Sequence, residues 1–330
     1  MNDTNSKKQE ERRIFDLVYG DKSFYEVKYF ESPDFLVRYF SNTPYFGVEI
    51  TEYYLTETNA RLDNIADYSD QLLDGNDYKH KDDRKVLSVT NIDIVNEDGS
   101  VQFKNVPAIA QELPSLNKCA YDISERIMSK AKLINSSKQY VSHINLIIKD
   151  NSDLLRLINK RDFYSIYFIQ ELRTAISTVP FREIFFVTIL QNEHVYIPLK
   201  MMHLLAEAYL FNGAIVQNDY DRKIPNGDDY VELFGDYLNS QTTNKVLIHR
   251  DADDTEVIFG DSGIIINNDG SVIVRMHSDY AISPCAVKPN NKFQSILGDN
   301  FSEVMRKHRM TNIFSTDAVF PVKQQPTQPG

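Results

Sequence analysis

The chain has 330 residues, 42% hydrophobic and 25% charged, enough to bury a substantial core as one elaborated domain or two. A formal net charge of −11 argues against a broadly adhesive nucleic-acid binder, since nonspecific affinity comes mainly from neutralised phosphates. Cys119 and Cys285 have no paired metal-ligand spacing, no apolar leader pattern follows the start, and no apolar run has membrane-spanning length, so a soluble cytoplasmic protein is expected.

Residues 1–10 are polar and expected to fray, and Glu11 to Tyr19 reads as a short helix leading into a sheet. Glu11 is then either surface charge or an acid approaching a site. Phe35-Leu36-Val37-Arg38-Tyr39-Phe40 has strand composition and Ser41-Asn42-Thr43-Pro44 has turn chemistry, so residues 35–54 form a hairpin with Asp34 at its entrance. In the second strand, Phe46-Gly47-Val48-Glu49-Ile50-Thr51-Glu52, alternation puts Glu49, Thr51 and Tyr53 on one face and Val48, Ile50 and Glu52 on the other. Asp34 and Glu49, acids on adjacent strands, can bring oxygen ligands around a hard divalent cation, for which Mg2+ is the natural candidate.

An acidic, polar insertion covers residues 55–118 and includes the turn signals Asp74-Gly75-Asn76-Asp77 and Asn96-Glu97-Asp98-Gly99. A connection of this length needs its own structure or a task, such as a lid, a specificity element or a contact surface. Residues 120–134 follow as a helix, with Ile123, Ile127 and Ile134 at helical spacing. At about 100° per residue, Lys130 falls within roughly 20° of Ile123, inside the buried stripe, whereas Lys132 lies opposite. Residues 143–150 read as a buried strand, 182–190 as another, 195–198 as an edge segment and 199–211 as a helix.

Asp219 to Asp221 and Pro225 to Asp229 mark a loop and a boundary. Beyond it lie short strand-like runs at 245–249, 256–259, 263–267 and 271–276, the last two joined by the hairpin signal Asn268-Asp269-Gly270. Gly260-Asp261-Ser262-Gly263 is similar to the nucleophile loop of chymotrypsin-like proteases, but Ile264-Ile265-Ile266 follows at once and favours a hairpin turn. The His249 to Asp253 and His277 to Asp279 segments lack partners for a metal cluster and read as surface polar segments. No glycine-rich phosphate loop precedes a helix, which disfavours an NTPase or dinucleotide enzyme.

Pro33-Asp34 followed by Glu49-Ile50-Thr51 resembles the PD-(D/E)XK, or restriction-endonuclease-like, nuclease superfamily. The resemblance covers mainly residues 24–54 and 120–190. It implies an α/β fold, a mixed sheet flanked by helices, here with a β-rich C-terminal extension. It also implies Mg2+-dependent hydrolysis of phosphodiester bonds, most simply in DNA, with Mn2+ able to substitute, in a prokaryotic restriction, defence or mobile-element setting. Asp34, Glu49 and the Ile50 carbonyl would hold the metal. Thr51 stands where the family has lysine and would hold a water, and Lys130 would supply the amine from the helix.

The expected organisation is a nuclease-like core over residues 1–217 with the insertion at 55–118, a β-rich module over 218–320, and a disordered tail over 321–330. The insertion or the module could contact a protein partner or a second copy of the chain; no membrane contact is expected. The competing readings are a catalytically inactive relative acting as an interaction or nucleic-acid-binding module, motivated by Thr51 and the acidic charge, and cleavage of RNA.

Overall fold

The computed structural model describes residues 3–75, 77–111, 114–134, 141–152, 160–190, 192–218, 227–250, 255–266, 271–276, 285–286, 292–311 and 320–321. Helix α1 (Asp3–Tyr19) occupies the segment expected to fray. Its polar first turns are tied by Lys7–Glu11, Glu10–Arg13 and Arg12–Asp16 pairs at helical spacing, and its second half buries Ile14, Phe15, Val18 and Tyr19. Strands β1 (Glu26–Tyr29), β2 (Phe35–Arg38) and β3 (Phe46–Tyr53) form an antiparallel meander.

The insertion has its own structure. Helices α2 (Glu57–Asn64), α3 (Tyr68–Gly75) and α4 (Asp83–Val86) lead into a long hairpin of β4 (Leu87–Val95) and β5 (Val101–Gln111). Its small core of Tyr68, Leu72 and Leu87 is organised around the fully buried Asp83. That carboxylate accepts hydrogen bonds from Thr58, Arg61 and Tyr68; burial opposes its ionisation, but these donors win and hold it down to about 2.

The chain continues through α5 (Leu116–Ile134), β6 (Ile144–Asp150), α6 (Lys160–Tyr167), α7 (Gln170–Thr178), β7 (Ile184–Leu190), β8 (Glu193–Pro198) and α8 (Leu199–Gln217). Next come α9 (Gly227–Ser240), β9 (Leu247–Arg250), β10 (Thr255–Phe259), β11 (Ser262–Ile266), β12 (Val272–Met276) and β13 (Cys285–Ala286). Helices α10 (Lys292–Leu297) and α11 (Phe301–Thr311) and strand β14 (Phe320–Pro321) complete the order. Gly227 to Asp229, expected in a loop, open α9 instead; acidic residues are favourable at a helix N-terminus. Pro321, expected in the tail, pairs with Val195. The Asn268-Asp269-Gly270 turn, the metal-cluster segments beyond Arg250 and Met276, and residues 322–330 lie outside the described residues.

The central sheet is mixed, with strand order β1-β2-β3-β6-β7-β8-β14. β3, β6 and β7 are parallel neighbours, and β8 returns antiparallel to β7. β6 and β7 are mostly apolar, with Ile144, Leu146, Ile147 and Ile148 of β6 and Ile184 to Val187 of β7 buried, because both faces are covered. On one side α1 packs Phe15 and Tyr19 over Val48, Ile50, Ile147 and Phe185. On the other, Ile123 and Ile127 of α5 pack over Leu146, Ile148 and Phe186, each buried isoleucine stabilising the fold by about 1.5–3 kcal/mol. The fold is therefore α/β, a mixed sheet flanked by helices with additional sheets. Among the described residues, no helix is long and apolar enough to cross a membrane.

The second sheet, β12-β11-β10-β9-β13, is antiparallel. The C-terminal region carries the expected strands and also helices, since Val231 and Phe234 of α9, Phe293 of α10 and Phe301 of α11 share its core. Gly260 and Asp261 form the two-residue β10–β11 loop, with Gly260 at φ +67°, as hairpin loops with glycine first require. Ser262 is fully buried, which rules out a nucleophile loop here. Helix α8 belongs to both cores: Leu199, Met202 and Ala206 join the central one, Leu204, Ala208 and Phe211 the C-terminal one.

Two buried ionisable groups hold the start of α8. Glu183 Oε1 accepts from the amides of Ile184 (2.9 Å) and Lys200 (2.8 Å), while Lys200 Nζ donates to the carbonyls of Val179 (3.2 Å) and Phe181. Burial pushes the Glu183 carboxyl up and the Lys200 amine down.

Candidate functional site

The site begins with a close approach that only glycine permits. A Cβ on Gly47 would lie 2.4 Å from Pro33 Cγ and 3.2 Å from Ile144 Cγ1, so the bare backbone of β3 lets Pro33 settle onto it and fixes the residue that follows. The pairs Phe35–Val48 and Leu36–Gly47 put Asp34 one step further along, across from Glu49 and on the same face. The Ile50 amide donates to Asp34 Oδ2 at 2.7 Å. Burial first, and the Glu49 charge second, push the Asp34 carboxyl up to about 6, against the lowering effect of the Ile50 amide.

Glu49 is only 8% exposed. Its Oε1 accepts from Lys130 Nζ at 2.6 Å, while its Oε2 is buried without a protein partner. Lys130 reaches it because Ile123 and Ile127 clamp the same face of α5 onto the sheet; Lys132 is exposed, as its helical phase predicts. Thr51 and Ile50 line the adjoining cleft, whose volume is about 890 Å³. The structure thus brings Asp34, Glu49, Ile50, Thr51 and Lys130 to one place.

The cleft opens beyond the carboxyl ends of the parallel strands β3 and β6, where α/β sheets generally bind ligands. Other residues there went unnoticed in the sequence. Glu52 accepts from Asn151 Nδ2 at 2.9 Å, and Lys149 pairs with Glu10 at 3.3 Å. The signal that could have found them is register: Glu52 pairs with Lys149 at the ends of their strands. Glu11 also lines the cleft, paired with Lys7 at 3.4 Å, and its charge contributes to raising Asp34.

Among the described residues, no group of three or more His, Cys, Asp or Glu side chains is arranged to hold a metal ion. The donor set is instead two carboxylates, one with an orphaned buried oxygen and the other with a raised pKa, beside the backbone at Ile50. Such a set suits a hard cation that completes its shell with water, as Mg2+ does, and not zinc. Without a cation, the Lys130 ammonium supplies the compensating positive charge at Glu49. Comparison with protein-family models, with curated proteins and with solved structures finds no match for this chain.

Proposed function

We propose that the protein is a nuclease dependent on Mg2+, for which Mn2+ can substitute, that hydrolyses phosphodiester bonds in DNA. The reading rests on one observation above all: Lys130 Nζ meets Glu49 Oε1 at 2.6 Å, where it would supply the amine absent at Thr51. The strand, strand, helix, strand order of β2, β3, α5 and β6, with Pro33-Asp34 immediately before the first strand and Glu49 on the second, is consistent with the restriction-endonuclease-like core.

Asp34, Glu49 and the Ile50 carbonyl would hold the metal. When bound, it would supply Lewis-acid charge to the phosphoryl oxygen and acidify a water. Lys130 would turn from Glu49 to orient the attacking water and offset charge developing on the phosphate. The attacking water would give up a proton to a neighbouring water as its oxygen bonds to phosphorus, the P–O3′ bond would break, and the departing oxygen would take a proton from solvent. Thr51, buried in the wall beside Glu49, would accept or donate one hydrogen bond to a water in the cleft.

The test is cleavage of DNA by the purified protein with Mg2+ or Mn2+, abolished by chelation and by Asp34→Ala and Glu49→Ala with the fold intact. Full activity in both variants would overturn the assignment. A catalytically silent module is the second reading, favoured by the absence of a third carboxylate or imidazole ligand among the described residues. It predicts nucleic-acid binding that survives Asp34→Ala with no cleavage by the wild type, and parallel RNA substrates separate the two polymer classes.

A further inference from the structure

A second depression, of about 480 Å³, adjoins the cleft and shares Lys7, Glu11 and Asp34 with it. Its remaining wall includes Tyr29 and Phe30. The Phe30 amide donates to the Asp34 carbonyl at 2.9 Å, continuing the Tyr29–Phe35 pairing just past the ends of β1 and β2, so Phe30 and Asp34 stand in one row with Glu49 of β3. Phe30 is 48% exposed and Tyr29 47%, although both sit beside a polar site, where apolar rings gain nothing from water. Tyr29 is held in position: its ring lies 4.9 Å from that of Phe35, its hydroxyl donates to the Lys8 carbonyl at 3.4 Å, and Lys8 Nζ stands 6.0 Å over its face.

We infer that Phe30 is a shelf on which an unpaired base of the substrate stacks beside the reacting phosphodiester, while Tyr29, covered by Phe35 and Lys8, fixes the strand end that carries it, so that the enzyme takes single-stranded nucleic acid. This rests on the reading of Asp34 and Glu49 as the phosphodiester site. The chain's charge of −11 and the acids Glu11 and Glu31 in the same wall leave little phosphate neutralisation for holding a duplex. Stacking on an aromatic face does not depend on charge and contributes about 1–3 kcal/mol per base. A duplex keeps its bases stacked inside and has no free face for the shelf.

The experiment uses the full chain with Ca2+ and a short DNA strand carrying one 2-aminopurine, alone and annealed to its complement. The single strand should bind with its fluorescence quenched by stacking, and the duplex should bind more weakly. Phe30→Ala, with unchanged circular dichroism, should weaken single-strand binding about 5–150-fold and relieve the quenching, while Phe30→Tyr retains both. Unchanged quenching in Phe30→Ala, absence of single-strand binding, or equal affinity for duplex and single strand overturns the inference. Mg2+-dependent cleavage is scored separately. Binding and quenching without cleavage keep the shelf and remove the nuclease reading; cleavage indifferent to strandedness and to the Phe30 ring keeps the nuclease reading and removes the shelf.

Discussion

Lys130 Nζ lies 2.6 Å from Glu49 Oε1, joining residues 81 positions apart. Lys130→Met keeps the side chain's length and its helix propensity but removes the charge. It should lower turnover by about a hundredfold or more, in line with losing one charge-stabilising donor, and lower the metal-free unfolding midpoint, because the buried Glu49 loses its compensating charge. Lys132→Met, on the exposed face, is the matched control and should leave turnover unchanged. Single-turnover kinetics on both variants decide the point, and equal rates for Lys130→Met and wild type would count against the amine's role.

Asp34 gives the site a pH dependence of known sign. Its carboxyl, raised from 3.8 to about 6, keeps its proton in the folded chain over a range where the unfolded chain has released it. This group's contribution to stability is therefore largest in acid and declines as the pH rises through 6. A cation must displace that proton, so apparent Mn2+ affinity should fall about tenfold per pH unit below 6 and level off above it. Calorimetric titration at pH 5, 6, 7 and 8 measures this. Asp34→Asn should abolish binding and raise the metal-free melting temperature at pH 8.

Gly47 is the position most sensitive to a single methyl group. In Gly47→Ala the new Cβ meets Pro33 Cγ at 2.4 Å, and Pro33 cannot retreat without carrying Asp34 away from the Ile50 amide. The expected cost is about 1–3 kcal/mol in urea unfolding, together with loss of metal affinity. An alanine variant with wild-type values in both would show that Pro33 does not position Asp34.

Glu183 is structural. Glu183→Ala leaves the buried amides of Ile184 and Lys200 without their acceptor, and should cost about 1–3 kcal/mol for each amide left unpaired. Glu183→Gln should recover part of that loss, because its carbonyl oxygen can still accept from both amides. Chemical denaturation of the two variants tests this ranking.

The sequence carried the information wherever a regular period met a single buried face. The three isoleucines of α5 fixed the phase of Lys130, and alternation in β3 separated Glu49 from Ile50, as the two distinct cores show. It was silent where tertiary approach decides. Nothing local tells that Gly47 is the bed for Pro33 or that Phe30 stands beside Asp34. Glu183 and Lys200 have the composition of surface residues, and their burial follows only from the packing of β7, α8 and the β10–β11 loop, where a Cβ on Gly260 would lie 2.4 Å from the Arg182 carbonyl. The α1 start was missed because its stability comes from charge pairs and not from an apolar stripe.

Helix α8, immersed in two cores at once, makes the chain indivisible. A cut after Gln217 would leave the first fragment with Leu204, Ala208 and Phe211 bare to water, and the second with an empty groove lined by Val231, Phe234 and Phe301. Each piece would expose the adhesive surface that soluble chains avoid. The same sharing means that loosening either side strips the other of its wall, so strain arising around β10 and β11 reaches, through Lys200 and Glu183, the strand next to the one that flanks Glu49.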